Sequence, residues 1–243
     1  MKKCSRMLIN TAIYSVALLQ VNNACAAISL DRTRVIYDAA SKSVSMTIRN
    51  ESKELPYLAQ AWLEDAAMNK ISGPLVVIPP LQRVEPSTSS QVRISAIDDV
   101  SSLPLDRESV FYFNLREIPP RNEVPNAMQI ALQTKIKVFY RPKAIAVIND
   151  NKSIDQLVLR KSERGMSIEN PTPYFITITA LVLGSPTATD AVFTPIMLSP
   201  KSNTPLSMAI PTQLKPSLTY INDYGGHQEI SFTCDASRCQ VRK

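Results

Sequence analysis

Met128-Gln129-Ile130-Ala131-Leu132-Gln133-Thr134-Lys135-Ile136-Lys137-Val138-Phe139-Tyr140-Arg141-Pro142 is the stretch on which the fold of this chain turns. Met128, Ile130, Leu132, Ile136, Val138 and Tyr140 share one parity, and period two is the spacing at which side chains of an extended strand return to one face. The pattern predicts a single long strand over 128–140 that closes a domain. Pro142 ends it, because proline has no amide hydrogen to give a ladder, and Arg141-Pro142-Lys143-Ala144 reads as the break between two domains. On alternation alone the apolar face of 128–132 is a core face, as most such faces are.

Upstream, the same alternation recurs in Ile28, Leu30 and Ile36, in Val44, Met46 and Ile48, at Leu58, and in Val92 and Ile94, with 111–115 a further strong strand. Polar or Pro/Gly-bearing turns at 38–42, 50–53, 70–74 and 85–90 separate these runs at intervals that suit short antiparallel strands. Downstream, Leu157 and Leu159, then 166–169, 175–183, 192–198, 217–221 and 229–242 form a second set. With 18 Pro and 5 Gly in 243 residues and no long stretch of helical period, the chain is expected to be all-β, in two sandwiches of about 100 residues each.

The first 26 residues read as a secretory leader: Lys2, Lys3 and Arg6 precede an apolar run from Leu8 to Leu19, which ends at Ala24-Cys25-Ala26. Cys25 lacks a lipoprotein-like approach, and no later run reaches the length of a membrane span, so no membrane anchor is expected. Loss of the leader's three cations lowers the formal charge from +6 to +3, too mild to imply nucleic acid. Of the 4 Cys, Cys4 and Cys25 leave with the leader, and Cys234 and Cys239 remain as a pair that an exported protein can oxidise. They read as a clip on a terminal hairpin. A redox pair is disfavoured because the spacing is not Cys-x-x-Cys.

An enzyme is not expected. The single histidine, His227, follows Gly225-Gly226 and reads as a turn residue, and there is no nucleophile elbow, phosphate loop or metal-spaced cluster. No cofactor and no metal are implied.

Several blocks are more specific than any periodicity. Ser29-Leu30-Asp31-Arg32-Thr33-Arg34, Leu55-Pro56-Tyr57-Leu58-Ala59-Gln60-Ala61-Trp62, Phe111-Tyr112-Phe113-Asn114-Leu115-Arg116-Glu117-Ile118-Pro119-Pro120, the stretch from Gln129 to Pro142, and Tyr220-Ile221-Asn222-Asp223-Tyr224-Gly225-Gly226 closely resemble the periplasmic pilus chaperones, over essentially the whole mature chain. The resemblance implies two immunoglobulin-like domains in an L with a cleft between them: a leader at 1–26, a chaperone domain at 27–141, a linker at 142–147 and a second domain at 148–243. It implies a periplasmic protein that lends a strand to incomplete pilus subunits and hands them to an outer-membrane usher. The short connection from Pro119 to Ala127 matches the short-loop class of the family. Self-association of the free protein is a further reading that the resemblance leaves open. The alternative is an exported pilin or adhesin subunit, which would be a single incomplete domain or carry a polymerising extension.

Carried over by position, the resemblance makes Met128, Ile130 and Leu132 the lent face and Arg34 and Lys137 the clasp for a subunit's C-terminal carboxylate. It makes Glu108, Arg141 and Asp223 a charged set that ties the domains together. Read without it, Arg34 is a rim charge, and Glu108, Arg141 and Asp223 are three unrelated surface charges. Arg34 shares parity with Ile28, Leu30 and Ile36, where a cation is costly unless paired or facing a wet cleft. Lys137 has the opposite parity to Met128, Ile130 and Leu132, so a twist, a bulge or a different facing partner has to reconcile them.

Overall fold

The structure is a computed structural model, and it describes residues 27–121, 128–145, 154–162, 165–183, 193–206 and 215–242. The leader expected at 1–26, most of the connection 119–127 and part of the linker 142–147 lie outside these residues.

The first sandwich contains β1 (Ile28–Leu30), β2 (Arg34–Asp38), β3 (Ser43–Asn50), β4 (Tyr57–Glu64), β5 (Lys70–Ile71), β6 (Leu75–Ile78), β7 (Leu81–Val84), β8 (Ser89–Ala96), β9 (Ser109–Ile118) and β10 (Gln133–Arg141). One sheet has the order β1-β3-β8-β6, and the other β2-β10-β9-β4-β5, with β7 also on β4. Alternate residues of both sheets, among them Met46, Ile48, Val92, Ile94, Leu63, Phe113, Ile136 and Val138, meet in one buried cluster, as expected of strands with one wet face. The chain passes from one sheet to the other between β1 and β2. Parity therefore restarts there: Val35 and Tyr37 point into the core, while Arg34 and Ile36 lie on the other face, so the apolar company of Ile28 and Leu30 does not extend to Arg34.

The second sandwich contains β11 (Val158–Ser162), β12 (Gly165–Asn170), β13 (Ile176–Val182), β14 (Ile196–Leu198), β15 (Ser202–Leu206), β16 (Ser217–Ile221), β17 (His227–Cys234) and β18 (Arg238–Val241), in the order β14-β13-β16-β17-β18-β11-β12-β15. β17 joins its halves: residues 227–231 pair with β16, and 232–234 pair with β18. The sheet thus closes over its own core of Leu157, Leu159, Ile168, Ile178, Leu198 and Leu218. Cys234 and Cys239 lie opposite one another on β17 and β18 and are bridged.

Three parts of the sequence reading need correction. The strand expected over 128–140 begins at Gln133. Antiparallel pairing with β9 runs out where Pro119 and Pro120 follow Ile118, since neither proline can donate to the ladder. Part of the turn expected at 70–74 is the two-residue β5. The sequence reading also lacks β6, β7 and β15, which are three to five residues long or carry proline, as Pro205 does in β15 at a sheet edge.

Both sandwiches use the same polar lock at a strand end. Asn50, fully buried at the end of β3, donates its amide to the carbonyls of Leu55 and Val84 and accepts from the Ser52 N–H. Asn170, fully buried at the end of β12, donates to the carbonyls of Tyr174 and Ser199 and accepts from the Thr172 N–H and hydroxyl. Each asparagine satisfies backbone groups of two loops that have no ladder partner. Asn50→Ala orphans those groups and is expected to destabilise the first sandwich by about 3 kcal/mol, read as a lowered urea midpoint.

Candidate functional site

The two strands β2 and β10 run parallel, with Lys137 aligned with Arg34. Because Val35, Tyr37, Ile136, Val138 and Tyr140 enter the core, the intervening parity carries Arg34, Lys137, Phe139 and Arg141 on the face turned to the second sandwich. No bulge interrupts the β9–β10 register. Lys137 is thus brought to the domain junction by ordinary alternation, and the facing partner is the second sandwich. Across the junction, Lys137 Nζ donates to Thr177 Oγ1 at 3.3 Å and Arg34 Nη1 donates to the Ile221 carbonyl at 3.1 Å. Thr177 and Ile221 are themselves partners in the β13–β16 ladder. Phe139 packs on Phe175, with ring centroids 5.7 Å apart. Beside Arg34 lies a cleft of about 400 Å³ lined from both domains by Asp31, Arg32, Arg34, Ile36, Asp223 and Tyr224.

These two cations differ from their neighbours. Arg32 is paired with Asp31 at 2.9 Å, and Lys135 with Glu64 at 2.7 Å, whereas neither Arg34 nor Lys137 has a carboxylate within ion-pair distance among the described residues. Burial lowers the pKa of Lys137, and the neighbouring Arg34 charge lowers it further. Burial likewise lowers that of Arg34, against the opposing pull of Asp223 and Glu108. Arg34 Nε is buried without a hydrogen-bond partner. A buried donor left unmade costs about 1–3 kcal/mol, more when charged, and two like charges side by side add repulsion. An anion with two acceptor oxygens relieves both.

Arg141 bridges the two sandwiches. Its guanidinium meets Glu108 Oε1 and Asp223 Oδ2, each at 2.8 Å, and stacks on Tyr174. Glu108, 3% exposed, also accepts from the Phe175 N–H and donates its own N–H to the Pro173 carbonyl. Burial pushes the Glu108 carboxyl up to about 7, although the Arg141 charge and the Phe175 N–H pull it down. Burial alone would lower the pKa of Arg141, but its hydrogen bond to Asp223 and the Glu108 charge hold it above the ordinary value.

Next to the two cations, the chain is open. Leu132 still accepts one hydrogen bond from the Glu117 N–H, but Met128, Ile130 and Leu132 are 88%, 68% and 45% exposed. β2 begins opposite Lys137, so Gln133–Ile136 has β9 on one side and, among the described residues, no strand on the other. The even-numbered face that fills the core at 136–140 continues past the sandwich as unburied side chains at 128–132. Sequence reasoning missed Thr177, Tyr224 and the Ile221 carbonyl as lining groups. Thr177 and Thr179 at one parity of an otherwise apolar strand were the available signal for the first.

A two-sandwich protein with an exposed apolar segment beside two cations that lack a carboxylate partner among the described residues is built to bind another chain, and comparison with known proteins gives the class. Residues 27–146 match the family described as pili and flagellar-assembly chaperone, PapD N-terminal domain, and residues 152–232 match the pili assembly chaperone PapD, C-terminal domain. The chain is 50% identical to the chaperone protein PapD of Escherichia coli, covering 94% of this chain and 95% of that one. It is 40% identical to the chaperone protein PmfD of Proteus mirabilis, covering 93% and 91%. The crystal structure of the periplasmic chaperone SfaE superposes with a TM-score of 0.69 at 28% identity, over 84% of this chain and 98% of that one. This chain belongs to the pilus-assembly chaperone family. It is a chaperone of pilus subunits rather than such a subunit.

Glu108 has a measurable consequence. Between its ordinary pKa near 4.5 and its folded value near 7, the native state holds a proton that the unfolded chain releases. Stability from this group is therefore present at low pH and is lost as pH rises through 7. Glu108→Gln removes the titration, so the stability of wild type relative to the variant is expected to fall from pH 5 to pH 8 in paired denaturant titrations.

Proposed function

We propose that this chaperone works in the periplasm, after removal of residues 1–26, by lending the edge 128–136 to a pilus subunit whose own sheet lacks a strand. Met128, Ile130 and Leu132 enter the subunit's open groove while their backbone pairs with its edge. Arg34 and Lys137 clasp the subunit's terminal carboxylate and set the register of the lent strand. Arg141, between Glu108 and Asp223, fixes the width of the cleft. The observation that carries this reading is an exposed apolar face at 128–132 leading into β10, where Lys137 stands beside Arg34 of β2 and neither cation has a carboxylate partner among the described residues. The family supports it: a related chaperone, SafB of Salmonella enterica, has been crystallised with the pilin SafA. Delivery to an outer-membrane usher completes the role, which is binding without catalysis.

Each apolar side chain buried in the groove contributes about 1.5–3 kcal/mol before ordering costs. Ile130→Asp replaces one contribution with an unpaired buried charge and is expected to lower subunit capture by more than about a hundredfold in a binding assay, with the unfolding midpoint of the free protein unchanged. Arg34→Ala and Lys137→Ala are expected to fold and to lose co-purifying subunit from periplasmic extracts; retention of subunit by both would refute the carboxylate assignment.

A further inference from the structure

We infer that the turn between β16 and β17 positions the Arg34 guanidinium through a side-chain-free contact at Gly225, and that the bare glycine there sharpens the preference for a terminal carboxylate. The inference rests on the proposed role of Arg34 and Lys137.

The turn is internally braced. Asn222 Oδ1 accepts from the N–H groups of Tyr224 and Gly226 at 3.1 and 2.8 Å. The Asn222 N–H donates to the Gly226 carbonyl, and the Gly225 N–H to the Asn222 carbonyl. A turn so closed moves as one body, and besides the Asp223–Arg141 ion pair it meets the first sandwich at two consecutive residues. At its base, the Ile221 carbonyl takes the hydrogen of Arg34 Nη1. At its tip, Gly225 abuts Thr33: a Cβ added to Gly225 would lie 2.5 Å from Thr33 Oγ1.

That contact is too short for any real side chain, so with Thr33 in its present rotamer only glycine lets the turn settle to its present depth. At Gly226 an added Cβ would meet nothing nearer than Asn222 at 3.4 Å, which confines the restriction to position 225. Gly225 also sits at φ +85°, where a side chain is strained whatever the space. Depth matters because Thr33 immediately precedes Arg34. A turn pushed outward at its tip draws the Ile221 carbonyl away from Nη1 and frees the guanidinium to rotate. With Nη1 held, the fork has one orientation, in which Nε is the buried donor left without a partner. A fixed fork loses less freedom on gripping a carboxylate than a mobile one.

The contact and the local strain at φ +85° predict different behaviour, and Thr33 separates them. Binding is measured for a short peptide of alternating valine and serine with a free C-terminal carboxylate and for its amidated twin, using the full mature protein. The ratio of the two affinities is the readout, with thermal unfolding recorded alongside. Wild type is expected to prefer the free acid. Gly225→Ala is expected to cut that preference by about tenfold, the worth of a well-placed charged hydrogen bond. Gly225→Ala combined with Thr33→Ala, which removes the clashing hydroxyl, is expected to recover most of it. Thr33→Ile crowds the same contact without backbone strain and is expected to lower the preference, and it decides the matter if Gly225→Ala does not fold. An unchanged ratio in Gly225→Ala and Thr33→Ile, or equal loss in Gly225→Ala and the double variant, overturns the inference while leaving the clasp intact. No preference in wild type overturns the clasp and the inference with it.

Discussion

The parallel pairing of β2 with β10 is the constraint on which the rest depends. Its register puts Arg34 beside Lys137, and its short length leaves the earlier part of β10, among the described residues, with no strand on the side away from β9. A longer β2 would cover the edge, and a slip of β2 by one residue would turn Arg34 into the core. Edge strands normally carry charge or proline to prevent pairing with other chains. Here the segment before β10 carries exposed methionine, isoleucine and leucine instead, as suits a protein whose work is to pair with another chain.

The domain junction is charged and aromatic, and it accommodates an energetic cost. Glu108, almost wholly buried, meets a guanidinium and a backbone N–H, which offsets much of what burying a carboxylate costs. Arg34 and Lys137, at the same junction, are not compensated in this way. One set of charges is closed by partners from both domains. The other has no carboxylate partner among the described residues, and Phe139 packs on Phe175 at the same junction.

Much of the fold was legible because alternation reports one-sided burial. Long runs such as 43–50, 109–118 and 217–221 announce themselves. Two- to four-residue strands such as β5, β6 and β7 carry too few side chains to show a period, and proline hides β15. The overlong strand at 128–140 had a different origin. Its side chains alternate as a strand's do, but pairing needs a partner with N–H groups to give, and Pro119 and Pro120 withhold them.

Residue order settles the fold class, the cysteine pair and the family, since all of these are written in local pattern or in blocks of matching residues. It also marks which residues are cations and which are apolar. It could not say that Arg34 and Lys137, a hundred positions apart, stand side by side, that Lys135 is neutralised by Glu64 while Lys137 is not, or that the apolar face of 128–132 lies outside its own core. Those are facts of register and of distance across a junction, and they exist once strands far apart in the chain have paired.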